Sequence, residues 1–216
     1  MDVRDQLKEG IRQFRSKVYP ERREAYVKAE AEPQRPHTLL VACADSRIDL
    51  ETITQSEPGE LFVSRNIGNM VPTYGEMMGG VSAVLEYAVS ALKVQQVVIC
   101  GHTDCGAMKA LMNPDQLEKL PTVRRWLRNA EAALSIAREV ESGDDFLMKL
   151  TKQNVLMQIT HAKTHPSVAG AIARGELTVS GWVYEIGSGN VLIYDELKNS
   201  FEPVTVSAEE PVVSGA

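Results

Sequence analysis

Three side chains capable of chemistry follow one another in the short stretch VACADSR, residues 41–47. On an extended chain alternate side chains point to the same side, so this spacing predicts that Cys43, Asp45 and Arg47 share one face. A thiol is a soft metal ligand, whereas a carboxylate beside a guanidinium forms a hard ion pair. We interpret this combination, directly after an apolar run, as a functional site rather than part of a hydrophobic core.

A second stretch, GHTDCGAMKAL, places a histidine and a cysteine three residues apart, His102 and Cys105. On a turn that enters a helix, this spacing brings the two side chains side by side. We expect Gly101 to permit that turn, and Thr103 or Asp104 to cap the helix that follows. The start of a helix favours an ionised thiol, so Cys105 is a candidate thiolate.

Both stretches follow apolar runs that are typical of buried strands. Such runs alternate with helical patterns, which predicts an α/β fold with a mostly parallel central β-sheet flanked by helices. Functional groups gather beyond the carboxyl ends of parallel strands, so the two stretches should meet there. The predicted strands are HTLLVAC (37–43), ELFVSRN (60–66) and VQQVVICG (94–101), and the predicted helices are MMGGVSAVLEYAVSALK (77–93) and CGAMKALM (105–112).

The beginning of the chain predicts an N-terminal helical arm over residues 1–32, made of two helices. We expect Pro20 to start the second of them. The first helix carries a narrow apolar stripe, which indicates packing against a neighbouring subunit and consists of Leu7, Ile11, Phe14 and Val18.

The second half of the chain predicts further helices and then a hairpin. Residues 121–163 have a helical pattern in two pieces separated at ESGDD, and a short helix starts at Pro166. A strand, a turn at residues 187–190 and a returning strand predict a C-terminal antiparallel hairpin. We therefore expect a single domain over residues 1–216 that ends in a loose tail over residues 208–216.

The composition excludes several classes of function. The chain has 216 residues, a formal net charge of −6 and a pI near 5.3, which disfavours binding to nucleic acid. No run approaches the ~20 apolar residues of a membrane span, and the start MDVRDQLKEGIRQF does not resemble a secretory signal. Three cysteines suit a reducing compartment better than a disulfide framework, so we expect a cytoplasmic protein.

Two thiolates and one imidazole form a donor set that suits zinc. Cys100 is a further candidate ligand, but it lies inside the third predicted strand and is better explained as a small buried residue. The ligands Cys43, His102 and Cys105 then leave one coordination position open, which is typical of catalytic zinc. Either motif alone would be a weak signal, whereas the two at the ends of neighbouring strands favour a metal site.

Other thiol and zinc chemistries fit the sequence less well. A nucleoside deaminase needs a glutamate two residues after the histidine and a P-C-x-x-C pair, whereas this chain has Asp104 and lacks any C-x-x-C. The missing C-x-x-C also disfavours a thioredoxin-like redox site. A closed structural or metal-sensing zinc site, with Asp45 as a permanent fourth ligand, stays open as an alternative.

At this point the motifs resemble a known family. The stretches CADSR, EPGELFVSRNIGNMVP, GGVSAVLEYAV, GHTDCGAMKAL, THPSV and GWVYEIGSG resemble β-class carbonic anhydrases over about residues 5–205. The resemblance implies one Zn²⁺ per chain, held by Cys43, His102 and Cys105, and reversible hydration of CO₂ to bicarbonate and a proton.

The resemblance also gives the carboxylate of the first motif a role. Arg47 clamps Asp45, and the clamped carboxylate accepts the proton of a zinc-bound hydroxide and orients it for attack on CO₂. Without the clamp Asp45 could take the fourth position on the metal, so it is a conditional ligand. The same zinc site could also act on an isoelectronic substrate, carbonyl sulfide or carbon disulfide.

Further site residues are implied by the same resemblance. Gln34 matches a glutamine that donates a hydrogen bond to the substrate oxygen, and the N–H of Gly106 lies near the bicarbonate. Phe62 and Tyr87 match the aromatic residues of an apolar CO₂ pocket, with Tyr87 contributed across a dimer interface. The resemblance therefore implies a homodimer, with a tetramer or larger assembly favoured.

One departure from the family pattern concerns regulation. A subgroup binds bicarbonate at a second, inhibitory site through a Trp, an Arg and a Tyr. Arg65 and Tyr184 match two of these residues, but Leu40 stands in place of the tryptophan. We therefore expect the always-open subgroup. No histidine is placed as a proton shuttle, and we expect surface or capping positions for His37, His161 and His165.

Overall fold

A six-stranded sheet runs through the centre of the structure, a computed structural model that describes residues 2–76 and 79–205. The strands are β1 (Thr38–Cys43), β2 (Leu61–Asn66), β3 (Gln96–His102), β4 (Thr178–Tyr184), β5 (Val191–Asp195) and β6 (Ser200–Pro203). Their order across the sheet is β2-β1-β3-β4-β5-β6, and the first four are parallel. The β4–β5 and β5–β6 pairs are antiparallel. This arrangement confirms the predicted mostly parallel sheet and its C-terminal hairpin.

Helices cover both faces of this sheet. They are α1 (Val3–Gln13), α2 (Tyr19–Ala31), α3 (Leu50–Thr54), α4 (Gly80–Glu86), α5 (Gly106–Met112), α6 (Pro121–Leu127), α7 (Glu131–Glu139), α8 (Phe146–Lys163) and α9 (Pro166–Ala173). Successive residues of a strand point to opposite faces. In β1, accordingly, Leu40 packs with residues of α5 to α7, whereas Leu39 packs with residues of α4, α8 and α9.

Two glycines let α8 lie close against the sheet. A Cβ atom would stand 2.8 Å from Cγ2 of Val155 at Gly101, and 2.6 Å from Cγ1 of Val155 at Gly181. Real Cβ contacts are longer than this, so a larger residue would push the helix away. The expected role of Gly101 is therefore wrong: it lies inside β3 and permits close packing, not a turn. The chain turns instead at Asp104, whose φ is +60°.

The N-terminal region is helical as predicted, but it has no break. A single π-helical turn over Phe14–Val18 joins α1 to α2, and the residues at both junctions have helical dihedral angles. Pro20 lies in the first turn after that segment, where the wider π turn accommodates its missing N–H. Pro20 is the second residue of α2, so the prediction that it begins the second helix is confirmed, although the π turn joins that helix to α1 without an interruption.

The later elements follow the predicted order with small additions. The long helical region breaks at residues 140–145, α9 starts at Pro166, and the hairpin turn spans residues 185–190. The short helix α3 and the edge strand β6 were not predicted. Residues 77–78 of the predicted helix and the predicted tail at 208–216 lie outside the described residues. Over the described ranges, no helix combines the length and the apolar character that a membrane crossing requires.

Candidate metal centre

Two neighbouring parallel strands deliver the candidate ligands to one point. Cys43 is the last residue of β1, His102 is the last residue of β3, and Cys105 stands immediately before α5. The two sulfur atoms and a ring nitrogen of the histidine all lie within 4.8 Å of one another, and all three residues are buried. Ligands of one tetrahedral zinc ion lie about 4 Å apart, so the spacing fits such a centre.

The orientation of His102 indicates what this cluster is for. Its Nδ1 lies 2.8 Å from the carbonyl oxygen of Thr103, so the N–H at Nδ1 donates to that oxygen and the lone pair is left on Nε2. Nε2 is buried and has no hydrogen-bond partner in the described structure. An unpaired buried polar atom is unfavourable, and a metal ion beside two thiols would satisfy it. The S₂N donor set therefore fits zinc.

The two thiols of the cluster are hydrogen-bonded to each other. A hydrogen bond from the Cys105 thiol is the main cause that lowers the pKa of Cys43 to about 4. The pKa of Cys105 is raised, first because it donates that hydrogen bond and then because it is buried. The amide N–H groups of Ala107 and Met108 in α5 act in the opposite direction on Cys105. The protein thus stabilises negative charge on sulfur at the position where a cation would bind.

Cys100 lies apart from this cluster, as its place inside a strand predicted. It is only 2% exposed and packs among apolar residues of the sheet. Burial raises the pKa of its thiol to about 12, so it stays protonated and is a poor metal ligand.

The carboxylate of Asp45 points towards the cluster while Arg47 holds it. Nε of Arg47 donates to Oδ1 at 2.9 Å and Nη2 donates to Oδ2 at 2.7 Å, a two-pronged ion pair that keeps the pKa of Asp45 well below its usual range. The same Oδ2 lies 3.9 Å from Nε2 of His102. The prediction that Cys43, Asp45 and Arg47 share one face of a strand is wrong. Strand β1 ends at Cys43, and the other two residues lie in the turn that follows.

Arg65 holds the same turn from the neighbouring strand β2. Its guanidinium donates to the carbonyl oxygens of Cys43 at 3.1 Å, Asp45 at 2.7 Å and Ile48 at 2.9 Å. These bonds tie the first ligand and the carboxylate to the sheet. They also occupy the guanidinium that the resemblance associates with a second bicarbonate site, and Leu40 lies fully buried in β1.

We expect Arg65→Met to lower the free energy of unfolding by about 2 kcal/mol, because three carbonyl oxygens lose a charged donor while the side chain keeps similar bulk. Urea denaturation followed by circular dichroism measures this change. The control is Arg174→Met, which removes an exposed arginine paired with Glu176 and should change stability by less than about 1 kcal/mol. Equal effects of the two substitutions would contradict the role assigned to Arg65.

Comparison with known proteins identifies the family to which this chain belongs. The family model described as carbonic anhydrase matches residues 38–191. The chain belongs to the β-class carbonic anhydrase family. This makes it an enzyme, as the resemblance implied, and hydration of CO₂ is the general reaction of the family.

Several relatives and solved structures show how far the similarity extends. A carbonic anhydrase of Pseudomonas aeruginosa is 44% identical over 209 residues, which cover 96% of this chain and 94% of the relative. One of Synechococcus elongatus is 45% identical over 190 residues, covering 86% and 70%. The structure of the β-carbonic anhydrase CcaA has a TM-score of 0.89 at 38% identity, covering 94% of this chain and all of that one. A Coccomyxa β-carbonic anhydrase in complex with acetazolamide has a TM-score of 0.74 at 31% identity, covering 93% and 87%.

In this β-class fold, the expected substrate residues fall into two groups. Gly106 is exposed next to Cys105 and therefore lies at the cluster. Phe62 pairs with Leu39 near the start of β1, four residues before Cys43 in the register, which places it roughly 13 Å from the ligand end. Gln34 precedes β1 and is exposed. Within a single chain, Gln34 and Phe62 therefore lie near the amino-terminal ends of the strands, away from the ligands at the carboxyl ends.

Tyr87 lies beside Phe62 rather than beside the ligands. The two ring centroids are 6.0 Å apart, and Tyr87 is 50% exposed. Both rings line an open cleft of about 1010 Å³. Each chain thus presents the two rings in this cleft, at a distance from its own cluster.

The histidines outside the cluster include two that are not surface residues. His165 is only 2% exposed, with Nε2 at 3.0 Å from the carbonyl oxygen of Pro72. His161 is half-buried with Nδ1 at 2.9 Å from the carbonyl oxygen of Val71, and burial lowers its pKa. The expected surface or capping position is therefore wrong for His161, which lies inside α8, whereas His165 is buried but does occupy the N-cap position of α9. Both side chains fix the segment after β2. His37 is exposed as expected.

Sequence reasoning missed the groups that hold this segment against the first ligand. The N–H of Gly68 donates a hydrogen bond to the sulfur of Cys43, and Gly68 has a φ of +77°. Its carbonyl oxygen accepts from Nδ2 of Asn154 at 3.1 Å, and Oε1 of Gln158 accepts from the N–H of Val71 at 2.8 Å. Two amide side chains four residues apart on a buried helix were the available signal.

Sequence reasoning also missed the contacts of Asp104 with Arg47 and Lys109. The side chain of Asp104 does not cap α5 but bonds Arg47 and Lys109, whereas the hydroxyl of Thr103 accepts from the N–H of Ile186 at 3.0 Å. Neither residue therefore has the expected capping role, since Cys105 itself occupies the N-cap position.

Proposed function

We propose that this carbonic anhydrase holds one Zn²⁺ per chain with Cys43, His102 and Cys105 and hydrates CO₂ reversibly to bicarbonate and a proton. The observation that carries the proposal is the buried, unpartnered Nε2 of His102 facing two thiols, with Asp45 held nearby by Arg47. When bound, zinc supplies a Lewis acid that brings the pKa of a coordinated water to about 7.

In this proposal the Asp45–Arg47 pair orients the nucleophile. An ionised carboxylate only accepts hydrogen bonds, and the ion pair with Arg47 keeps Asp45 ionised at neutral pH. Its oxygens retain acceptor capacity for the O–H of a solvent molecule beside the cluster, which directs the reactive lone pair towards CO₂. Arg47 also draws the carboxylate towards itself, which supports the open subgroup in which Asp45 is not a permanent ligand.

The substrate pocket is best completed by a second copy of the chain. Gln34, Phe62 and Tyr87 lie away from their own cluster but are accessible or half-accessible at the far edge of the sheet. A partner related by a twofold axis would place them over the ligands, where Gln34 donates to a substrate oxygen and the two rings exclude water. The N–H of Gly106, at the start of α5, would then face the bicarbonate from the same chain as the ligands.

The helical arm is a further contact surface for such a partner. Leu7 is 66% exposed and Ile11 is 60% exposed on one face of α1. Apolar side chains aligned in this way usually pack against another surface. Two β-carbonic anhydrases of Sordaria macrospora, with a TM-score of 0.77 at 25% identity over 89% of this chain, are described as tetrameric. We infer a homodimer that associates further to a tetramer or larger assembly.

We expect the double substitution Leu7→Glu and Ile11→Glu to dissociate the assembly by at least one step, because two carboxylates would have to be buried in an apolar contact. Light scattering coupled to size-exclusion chromatography measures the mass. The matched control, Gln6→Glu with Gln13→Glu, adds the same charge to another face of α1 and should leave the mass unchanged. A double apolar-face variant with the wild-type mass would contradict the contact.

A reducing compartment suits this centre, because a disulfide between Cys43 and Cys105 would remove two of its ligands. All three cysteines are free in the structure. We therefore infer a cytoplasmic location.

Direct substrate comparison separates this function from the related alternatives. We expect stopped-flow measurements on the zinc-loaded protein to show rapid hydration of CO₂, with carbonyl sulfide and carbon disulfide turned over far more slowly. Turnover of either sulfur compound without turnover of CO₂ would contradict the substrate assignment. A zinc-loaded protein inactive on all three compounds would indicate a closed structural or sensing site.

A further inference from the structure

Asp104 occupies an unusual place between two of the ligands. It lies between His102 and Cys105 in the turn from β3 to α5, with a φ of +60° that few residues other than glycine adopt. The carboxylate lies between the turn after β1, which carries Arg47, and Lys109 of α5. Its Oδ2 accepts from Nη1 of Arg47 at 2.8 Å, and its other oxygen contacts Nζ of Lys109.

Arg47 is therefore held from two sides. Nε and Nη2 donate to the carboxylate of Asp45, while Nη1 and Nη2 donate to the side chain and the carbonyl oxygen of Asp104, the latter at 3.2 Å. The bonds to Asp45 join two residues of one turn and would move with that turn. The bonds to Asp104 join residues 57 positions apart, and among the residues that the structure describes they are the bonds that tie the Arg47 side chain to the turn carrying the other ligands.

The contacts of Arg47 and Asp104 bear on where the Asp45 carboxylate lies relative to the cluster. Asp45 is the competing acidic group nearest the cluster, with Oδ2 at 3.9 Å from Nε2 of His102. Arg47 holds this carboxylate through its backbone N–H, which donates to Oδ1 at 3.0 Å, and through its guanidinium, which is itself anchored on the outer side. Asp104, which also contacts Lys109 of α5, provides that anchor.

We propose that Asp104 is a positioning residue that fixes Arg47 and thereby keeps Asp45 off the fourth position of the metal. The inference rests on the proposed function, since it presumes a metal at the three ligands with an exchangeable fourth position. It adds a chain of contacts, Lys109–Asp104–Arg47–Asp45, that sets how often that position is open.

Two substitutions of Asp104 test the inference, one that removes the whole side chain and one that removes only its charge. Asp104→Gly removes the side chain but accepts the positive φ, and Asp104→Asn keeps shape and turn tolerance but removes the charge. Each is made in the wild-type chain and in an Asp45→Asn background, in which the competing carboxylate is absent. Asp144→Asn is the matched control, because it removes an aspartate that pairs with Lys152 far along the chain.

The readout is access to the fourth position rather than activity. Cobalt(II) replaces zinc, and azide is titrated while the visible absorption of the cobalt is followed. We expect Asp104→Gly to weaken azide binding about tenfold, as when the open state falls to a tenth of its population, and Asp104→Asn to weaken it less. In the Asp45→Asn background neither substitution should change azide affinity, and Asp144→Asn should behave like the wild type.

The outcomes distinguish this inference from the function on which it rests. Unchanged azide affinity in Asp104→Gly, or the same loss in both backgrounds, would overturn the positioning role. Loss of cobalt binding by both Asp104→Gly and Asp104→Asn would also overturn it, because Asp104 would then hold the ligand turn itself. If azide did not change the cobalt spectrum of the wild-type protein, the open fourth position assumed in the proposed function would be contradicted, and the inference would fall with it.

Discussion

Replacing Cys43 by serine should weaken zinc binding by more than about a hundredfold, since even the outer partners of metal ligands contribute ten- to a hundredfold. The substitution removes one of two sulfur donors and leaves a hydroxyl that stays protonated at neutral pH. The two remaining ligands, the sulfur of Cys105 and Nε2 of His102, are too few to hold the metal. Hydration of CO₂ should therefore fall to the rate in buffer. Zinc per chain, measured by inductively coupled plasma mass spectrometry, and stopped-flow kinetics test both parts.

Cys100→Ala is the matched control for this result. It also removes a buried cysteine of the same part of the sheet, but one that lies outside the cluster. We expect it to retain one zinc per chain and to destabilise the fold by about 1 kcal/mol, the order expected for a small core truncation. If Cys43→Ser kept its zinc while Cys100→Ala lost it, the ligand assignment would be wrong.

Asp45→Asn should lower kcat by about a hundred- to a thousandfold without loss of zinc, the range expected when one group that positions or accepts a proton is removed. Asparagine keeps the shape but loses the charge that Arg47 binds, and its NH₂ group offers donors instead of acceptors. The nucleophile then loses its orienting acceptor. Stopped-flow hydration by the zinc-replete variant measures the effect.

Asp49→Asn provides the comparison for this second result. Asp49 lies four residues further on and caps α3 by accepting from the N–H of Thr52 at 3.3 Å. Asparagine caps a helix nearly as well as aspartate, so this variant should keep its turnover and stability. Wild-type turnover in Asp45→Asn, or an equal loss in Asp49→Asn, would contradict the special role of Asp45.

The sequence predicted the frame of the site because that frame depends on simple patterns. Continuous apolar runs specify strands that are buried on both faces, and parallel strands bring their carboxyl ends to one edge. Cys43 and His102 therefore meet although 59 positions separate them in the sequence. Edge strand β6 was missed since its four residues carry no buried alternation and end in proline.

The contacts around the ligands were harder to predict because they depend on single dihedral angles and on packing between distant elements. Asp104 contacts Arg47 from a backbone with a φ of +60°, and the sequence pattern gives no sign of that conformation. The sequence neighbours of Gly101 predict a turn at that position. Its true constraint, the approach of Val155 from α8, becomes visible only when helix and sheet are packed together.

The most direct test of the account is metal reconstitution of the wild-type chain. The protein is stripped by chelation, zinc is added back in known amounts, and CO₂ hydration is followed by stopped flow at each step. We predict activity that rises in proportion to bound zinc and levels off at one ion per chain. A fully zinc-loaded protein that hydrates CO₂ no faster than buffer would contradict the account.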